Sequence, residues 1–231
     1  MMFQRHTLCI LFLLSILSAS SQCRYCRTYE DFMEGKWEPL DTVYAKKQSK
    51  SKKLLVGGSD FMFTTGDKAT DKMLKKDAFA VKQGNTLYVN CCNLRYQNDG
   101  FGFGYTKAMT MKDHGLLFVN KKIGKEAIEQ RFGGWYALGT IGGLVATSQQ
   151  LSQQVCYLIT EGASEVDNLI QIKLIDDNMI NQILSYDTDL FMEYYSETNA
   201  SQRIMAEHVL PLLKKAGFFT KIAREDNETK E

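Results

Sequence analysis

Apolar positions follow two rhythms along the chain. Between residues 54 and 121 they come in short runs punctuated by glycine: Leu54 to Val56, Phe61 to Thr64, Ala78 to Lys82, Leu87 to Leu94, Gly102 to Met111 and Leu116 to Lys121. Runs of this length between turn residues predict β-strands. Gln83-Gly84-Asn85-Thr86 and Asp113-His114-Gly115 have the chemistry of hairpin connections, so the sheet is expected to be antiparallel. Past Lys125 the period changes. Lys125 to Phe132 predicts one or two helical turns, and Val155 to Thr160 and Leu169 to Leu174 predict two more strands. Asp176-Asp177 then open a helix through Ser185, with Met179, Ile180, Ile183 and Leu184 on one stripe. Asp187 or Thr188 caps a second through Ser196, burying Leu190, Phe191, Tyr194 and Tyr195. A third runs from about Ser201 to Ala216 and stops at Gly217, where Pro211 either kinks it or starts a fresh helix. Near the start, Thr28 as N-cap with Asp31 three residues on predicts a short helix over Tyr29 to Trp37. Strands followed by helices predict an α+β fold, with an antiparallel β-sheet in the N-terminal and middle part and helices concentrated at the C-terminal end.

The N-terminal stretch stands apart. Arg5 and His6 precede the apolar run Thr7 to Leu17, which gives way to Ser18-Ala19-Ser20-Ser21 before Gln22-Cys23. A basic start, an apolar segment and a small-residue zone are the anatomy of a secretory signal peptide, and a spanning helix needs roughly 20 apolar residues. The expected organisation is a signal peptide over 1–21, a single α+β domain over 22–222 and a disordered polar tail over 223–231. The product is exported, periplasmic or extracellular. Lipid anchoring at Cys23 is the lesser alternative, because Gln22 stands where bacterial lipoproteins place a small residue.

Of the 231 residues, 44% are hydrophobic and 24% charged, which excludes global disorder and a polytopic membrane protein. The formal charge of +1 gives no general reason to expect nucleic acid as a partner. Its distribution is uneven: residues 22–125 carry 19 basic and 11 acidic side chains, and residues 126–231 carry 8 and 16. Lys46, Lys47, Lys50, Lys52 and Lys53 fall within eight residues. They read either as a solvated, mobile loop or as an electrostatic patch for an anionic glycan, lipid headgroup or nucleic acid. Gly133 to Thr147 (GGWYALGTIGGLVAT) is uncharged and rich in glycine. It predicts a buried kinked segment, a membrane-touching or oligomerising one through Gly139 and Gly143, or a ligand loop.

Catalytic motifs are scarce. There is no HExxH, no metal-spaced Cys/His set, no GxSxG elbow and no phosphate-binding glycine loop. No metal or cofactor is expected. His114 and His208 read as surface histidines. Cys23-Arg-Tyr-Cys26 has CxxC spacing without the strand and helix that lower a thiol pKa. With Cys9 lost in the signal, five cysteines remain and cannot all pair within one chain. Structural burial, or a disulfide from Cys91 or Cys92 to Cys156, is the expectation for those three. On a strand, Phe101, Phe103 and Tyr105 would form one aromatic row, either a core row or, if exposed, a ligand-binding surface. Asn199-Ala-Ser201 and Asn227-Glu-Thr229 are glycosylation acceptors only in a eukaryotic secretory pathway.

Lys75-Lys76-Asp77-Ala78-Phe79-Ala80-Val81-Lys82, then Leu87-Tyr88-Val89-Asn90-Cys91, then the glycine-rich Gly139 to Ala146, resemble a family of secreted bacterial proteins of unknown function. The resemblance implies a bacterial envelope or extracellular setting and carries over no activity, cofactor or catalytic residue. The reading is therefore a non-enzymatic envelope or secreted binding module, with the membrane surface or an envelope protein as partner. The alternative is a secreted hydrolase of glycan or peptide whose carboxylate pair the sequence does not single out.

Overall fold

A computed structural model describes residues 23–49, 59–112, 115–124, 154–162 and 170–220. The predicted signal peptide, the Leu54 to Val56 strand, Lys50, Lys52 and Lys53, His114, the helical turns after Lys125, Gly139 and Gly143, and the polar tail lie outside the described residues.

The glycine-punctuated runs pair into one antiparallel sheet. Its strands are β1 (Cys23–Cys26), β2 (Glu38–Leu40), β3 (Tyr44–Lys47), β4 (Phe61–Thr64), β5 (Ala80–Gln83), β6 (Thr86–Asn90), β9 (Tyr105–Thr110), β10 (Leu116–Lys121), β11 (Gln154–Glu161) and β12 (Ile170–Leu174). The order is β12-β11-β10-β9-β6-β5-β1-β2, with the β3–β4 hairpin attached to β9. β7 (Arg95–Tyr96) and β8 (Asp99–Gly100) form a separate small ribbon. The β5–β6 hairpin turns at Gly84, whose φ of 55° is the left-handed conformation such a turn needs.

Alternation along the strands sorts the core into two faces. Register sets Leu87 opposite Ala108, Ala108 opposite Phe118, and Phe118 opposite Tyr157. This first face is buried with Tyr29, Phe79, Leu94 and Phe101. The second face holds two clusters. One gathers Cys23, Tyr25, Val81, Tyr88 and Tyr105 with Phe63 and Leu74; the other gathers Leu117 and Cys156 with Ile180, Tyr194, Val209 and Leu213.

The helices follow their caps. In α1 (Tyr29–Met33), the Asp31 amide donates to Thr28 Oγ1 at 3.0 Å and the Thr28 amide to Asp31 Oδ2 at 3.1 Å. It ends before the predicted Trp37, because the chain turns left-handed at Gly35. The helix α2 (Lys68–Lys76), capped by Asp67, was not predicted: Leu74 is its one buried residue, too thin an apolar stripe to register. The helices α3 (Asp177–Ile183) and α4 (Thr188–Tyr195) are capped by Asp176 and Asp187.

The third predicted C-terminal helix is two, α5 (Ala200–Arg203) and α6 (Ala206–Lys215). It breaks at Met205, which is extended and bridges Val155 at the start of β11. Pro211 therefore lies inside α6 and opens neither piece. Gly217 ends α6 with φ 68°: its amide donates to the Lys214 carbonyl and the Phe218 amide to that of Leu213, a Schellman closure. Among the described residues, no helix is long and apolar enough to cross a membrane.

Candidate functional site

The second face of the sheet has two covers, one at each end. At one end the β3–β4 hairpin, backed by α2, is held to β9 by the Phe61–Tyr105 pair and by Phe63, whose ring centroid lies 4.8 Å from that of Tyr105 and 5.1 Å from that of Tyr88. At the other end α6 packs over β11, and the segment after it returns to β9, where Phe219 bridges Met111 and the Thr220 amide donates to the Thr110 carbonyl at 3.1 Å. Between the covers, β9 and β10 part. Their ladder stops at Ala108–Phe118, and the carbonyl of Val119 is taken up by the Thr106 hydroxyl at 2.9 Å.

The gap is a groove of about 1310 Å³. Lys107, Met109 and Val119 point to its floor; Phe61 and Lys47 stand on one wall, and Leu210, Pro211, Lys214 and Phe219 on the other. The lining is mainly apolar by area, yet among the described residues it holds three lysines against one carboxylate, Asp60, for a formal charge of +2. Among the described residues none of these three lysines is in an ion pair. Lys107 Nζ lies 6.0 Å from the centroid of the Phe61 ring, at the outer reach of a cation–π contact.

A second cavity, of about 370 Å³, is lined by Tyr96, Lys122, Ile123, Asp176, Asp177 and Ser201 among others. Its two acids already hold the fold together. Asp176 accepts the Met179 amide at 3.0 Å as the cap of α3. Asp177 accepts from Arg203 Nε at 3.0 Å and from the Tyr194 hydroxyl at 2.7 Å, and the Arg203 hydrogen bond leads in holding its carboxyl below the usual range. A general acid needs the opposite displacement. Glu38, Asp67 and Asp71 are likewise displaced downward, by Arg27 for Glu38, by Thr70 for Asp67 and by Thr64 and Thr65 for Asp71.

A family model of proteins of unknown function, DUF6563, matches residues 24–219, a span that includes every strand and helix named above except Cys23 at the head of β1. The chain belongs to that family. No curated protein and no solved structure matches it.

Within this DUF6563 member the residues singled out from sequence are dispersed. Phe101, Phe103 and Tyr105 do not form a row, because β9 begins only at Tyr105 and Gly102 and Gly104 before it have φ of 89° and 101°. Phe101 (0% exposed) packs against Phe118 and Tyr157 on the first face, while Tyr105 (1%) packs against Phe63 on the second. Phe103 alone is at the surface, 55% exposed, with Lys75 Nζ 5.3 Å from its ring centroid. Lys46 and Lys47 belong to β3 rather than to a loop, paired with Met62 and Phe61.

The five cysteines from Cys23 onward are all free. Cys91 packs on the first face of the sheet and Cys156 on the second, both fully buried, so of the two expectations burial holds for them; the sheet separates them, and neither Cys91 nor Cys92 is bridged to Cys156. Cys23 and Cys26 are divided in the same way. Burial pushes the thiols of Cys26, Cys91 and Cys156 up to about 12 and that of Cys23 to about 11, the reverse of nucleophile activation. Asn120 Nδ2, at 3.5 Å from Cys91 Sγ and 3.3 Å from Ser59 Oγ, ties these buried polar groups together. Nε2 of His208 donates to the Tyr194 carbonyl at 3.0 Å, which gives that ring a structural place between α4 and α6. Among the described residues no group of three His, Cys, Asp or Glu side chains is placed to hold a metal.

The groove was not found from sequence. Its lining comes from β3, β4, the β5–β6 hairpin, β9, β10 and α6, and its apolar and threonine side chains are of ordinary kinds that carry no motif. The one local signal was Lys107, a lysine between Tyr105 and Met109 on the same face of an otherwise apolar strand.

Proposed function

We propose that the protein is an exported, non-enzymatic binding module of the bacterial envelope or extracellular space, and that it binds its ligand in the groove between the two covers. The observation that carries this reading is the groove itself: a largely apolar channel floored by sheet, with three lysines outside any ion pair described. Its volume exceeds the roughly 300–1,000 Å³ of ordinary small-molecule pockets. Among the described residues the groove lining holds one carboxylate, Asp60, where hydrolysis by a carboxylate pair uses two, which favours binding. Cys23 is 5% exposed among Tyr25, Leu40 and Phe63, so an acyl group on its sulfur would displace the start of β1; this favours a free module over a lipid-anchored one.

The test uses protein purified after expression of the full chain in an exporting host. Nile red, a neutral apolar dye, is expected to bind saturably with a blue-shifted emission. Val119→Trp, which fills the floor, is expected to abolish that binding while leaving the far-ultraviolet circular dichroism unchanged. No saturable binding by the wild type, or binding indifferent to Val119→Trp, overturns the reading. Intact mass tests export: a soluble species starting at Gln22 is expected, and an acylated species starting at Cys23 in the membrane fraction overturns the free module.

A further inference from the structure

We infer that the ligand class of the groove is a single-chain anionic amphiphile, an extended alkyl chain ending in a carboxylate. This rests on the reading of the groove as the binding site and adds the chemistry of its occupant.

Shape and charge carry the inference together. A strand hairpin bounds one long side of the groove and a helix the other, with two strands as floor, which makes a channel suited to an extended chain. Met109, Val119, Leu210, Pro211 and Phe61 offer that chain apolar contacts along the channel. The lysines come from three separate elements: Lys47 from β3, Lys107 from β9 and Lys214 from the last turn of α6. Each of three elements contributes a lysine to the lining of one largely apolar channel, and among the described residues Asp60 is the one acid there; the excess of positive charge is one that an anionic headgroup neutralises. A neutral chain leaves that excess in place, and a cationic amphiphile adds to it.

The magnitudes differ in kind and can be separated. Each buried methylene tightens binding about fourfold. A headgroup held by partly exposed lysines adds about tenfold, and that part weakens as salt rises.

Competition against Nile red tests this with decanoate, dodecanoate and tetradecanoate below their aggregation concentrations, with dodecanol and dodecyltrimethylammonium as the neutral and cationic counterparts. The expected result is a rise of about fourfold per methylene and a preference for dodecanoate over dodecanol of about tenfold in low salt, reduced in 0.5 M salt (roughly a Debye length of a few ångströms). Lys107→Gln combined with Lys214→Gln is expected to remove most of the preference for the anion, and Lys68→Gln, on the exposed start of α2, is expected to keep it.

Equal displacement by dodecanol and dodecanoate overturns the anionic class and leaves the groove reading standing. Failure of every amphiphile to displace bound Nile red overturns the inference altogether. Binding to phosphatidylglycerol vesicles with no affinity for monomeric dodecanoate also overturns it, in favour of a membrane surface as partner. Failure of Nile red itself to bind marks instead the failure of the underlying groove reading.

Discussion

Asp177 and Arg203, 26 positions apart, form a two-point ion pair: Arg203 Nε donates to Asp177 Oδ1 at 3.0 Å and its Nη2 meets Oδ2. The Tyr194 hydroxyl joins the same carboxylate, and the Arg203 guanidinium lies 4.8 Å from the ring centroid of Tyr195. One side chain thus ties α5 to both α3 and α4. Arg203→Ala is expected to lower stability by about 2 kcal/mol in urea unfolding at pH 7.

The same pair sets an acid limb. Arg203 lowers the carboxyl of Asp177 in the folded state, so the stability it contributes is complete above the ordinary carboxylate value of 3.8 and is lost as pH falls through the lower folded value. Unfolding curves of wild type and Arg203→Ala should therefore converge below about pH 4. A constant gap from pH 6 to pH 3 would show that Asp177 is not the group responsible.

Asn90 is expected to be the most costly polar residue to lose. Its Nδ2 donates to the carbonyls of Leu74, Lys75 and Ala78 at 3.2, 3.3 and 2.8 Å, and its Oδ1 accepts the Cys92 amide at 3.1 Å. The sheet thereby satisfies carbonyls that the end of α2 leaves open. Asn90→Ala should cost about 2–3 kcal/mol, and Tyr105→Phe, which loses one hydrogen bond to Leu74, about 1 kcal/mol.

Phe101 and Phe103 should part in a thermal scan. Phe101→Ala opens a hole beside Phe118 and Tyr157 and is expected to cost about 3–5 kcal/mol. Phe103→Ala removes a surface ring and should fall within about 0.5 kcal/mol of wild type. Similar losses would restore the single aromatic row.

Iodoacetamide at pH 8 should modify Cys92 first in the folded protein. It is the one half-exposed thiol among the described residues, while Cys23, Cys26, Cys91 and Cys156 are buried and protonated well above that pH. Intact mass is expected to show one added group, and all five from Cys23 onward after denaturation. Rapid modification of a second thiol without denaturant would contradict the burial.

The parts of the fold legible in the sequence are those written in local chemistry. Asp176 and Asp187 precede apolar stripes at helical spacing, and Gly84-Asn85 sits between two strands that it joins. What escaped is contextual. In β3 all four residues are exposed, so no alternation marks it as a strand, and β2 contains Pro39. The break at Met205 comes from its bridge to Val155, half a sheet away in sequence. The groove depends on how far β4 and β10 splay from β9, and no single side chain encodes that distance.

The sheet also acts as a partition between thiols. Cys23 and Cys26 belong to β1, and its pairing with β5, residues 80–83, is the one that spans both cysteines and holds their sulfurs on opposite sides of the sheet. In an oxidising compartment a Cys23–Cys26 crosslink therefore has to form before the first described strand finds its partner. The yield of disulfide-bonded by-product is then a clock for folding: any change that delays the β1–β5 pairing should be readable as oxidised protein, even where the finished fold is equally stable.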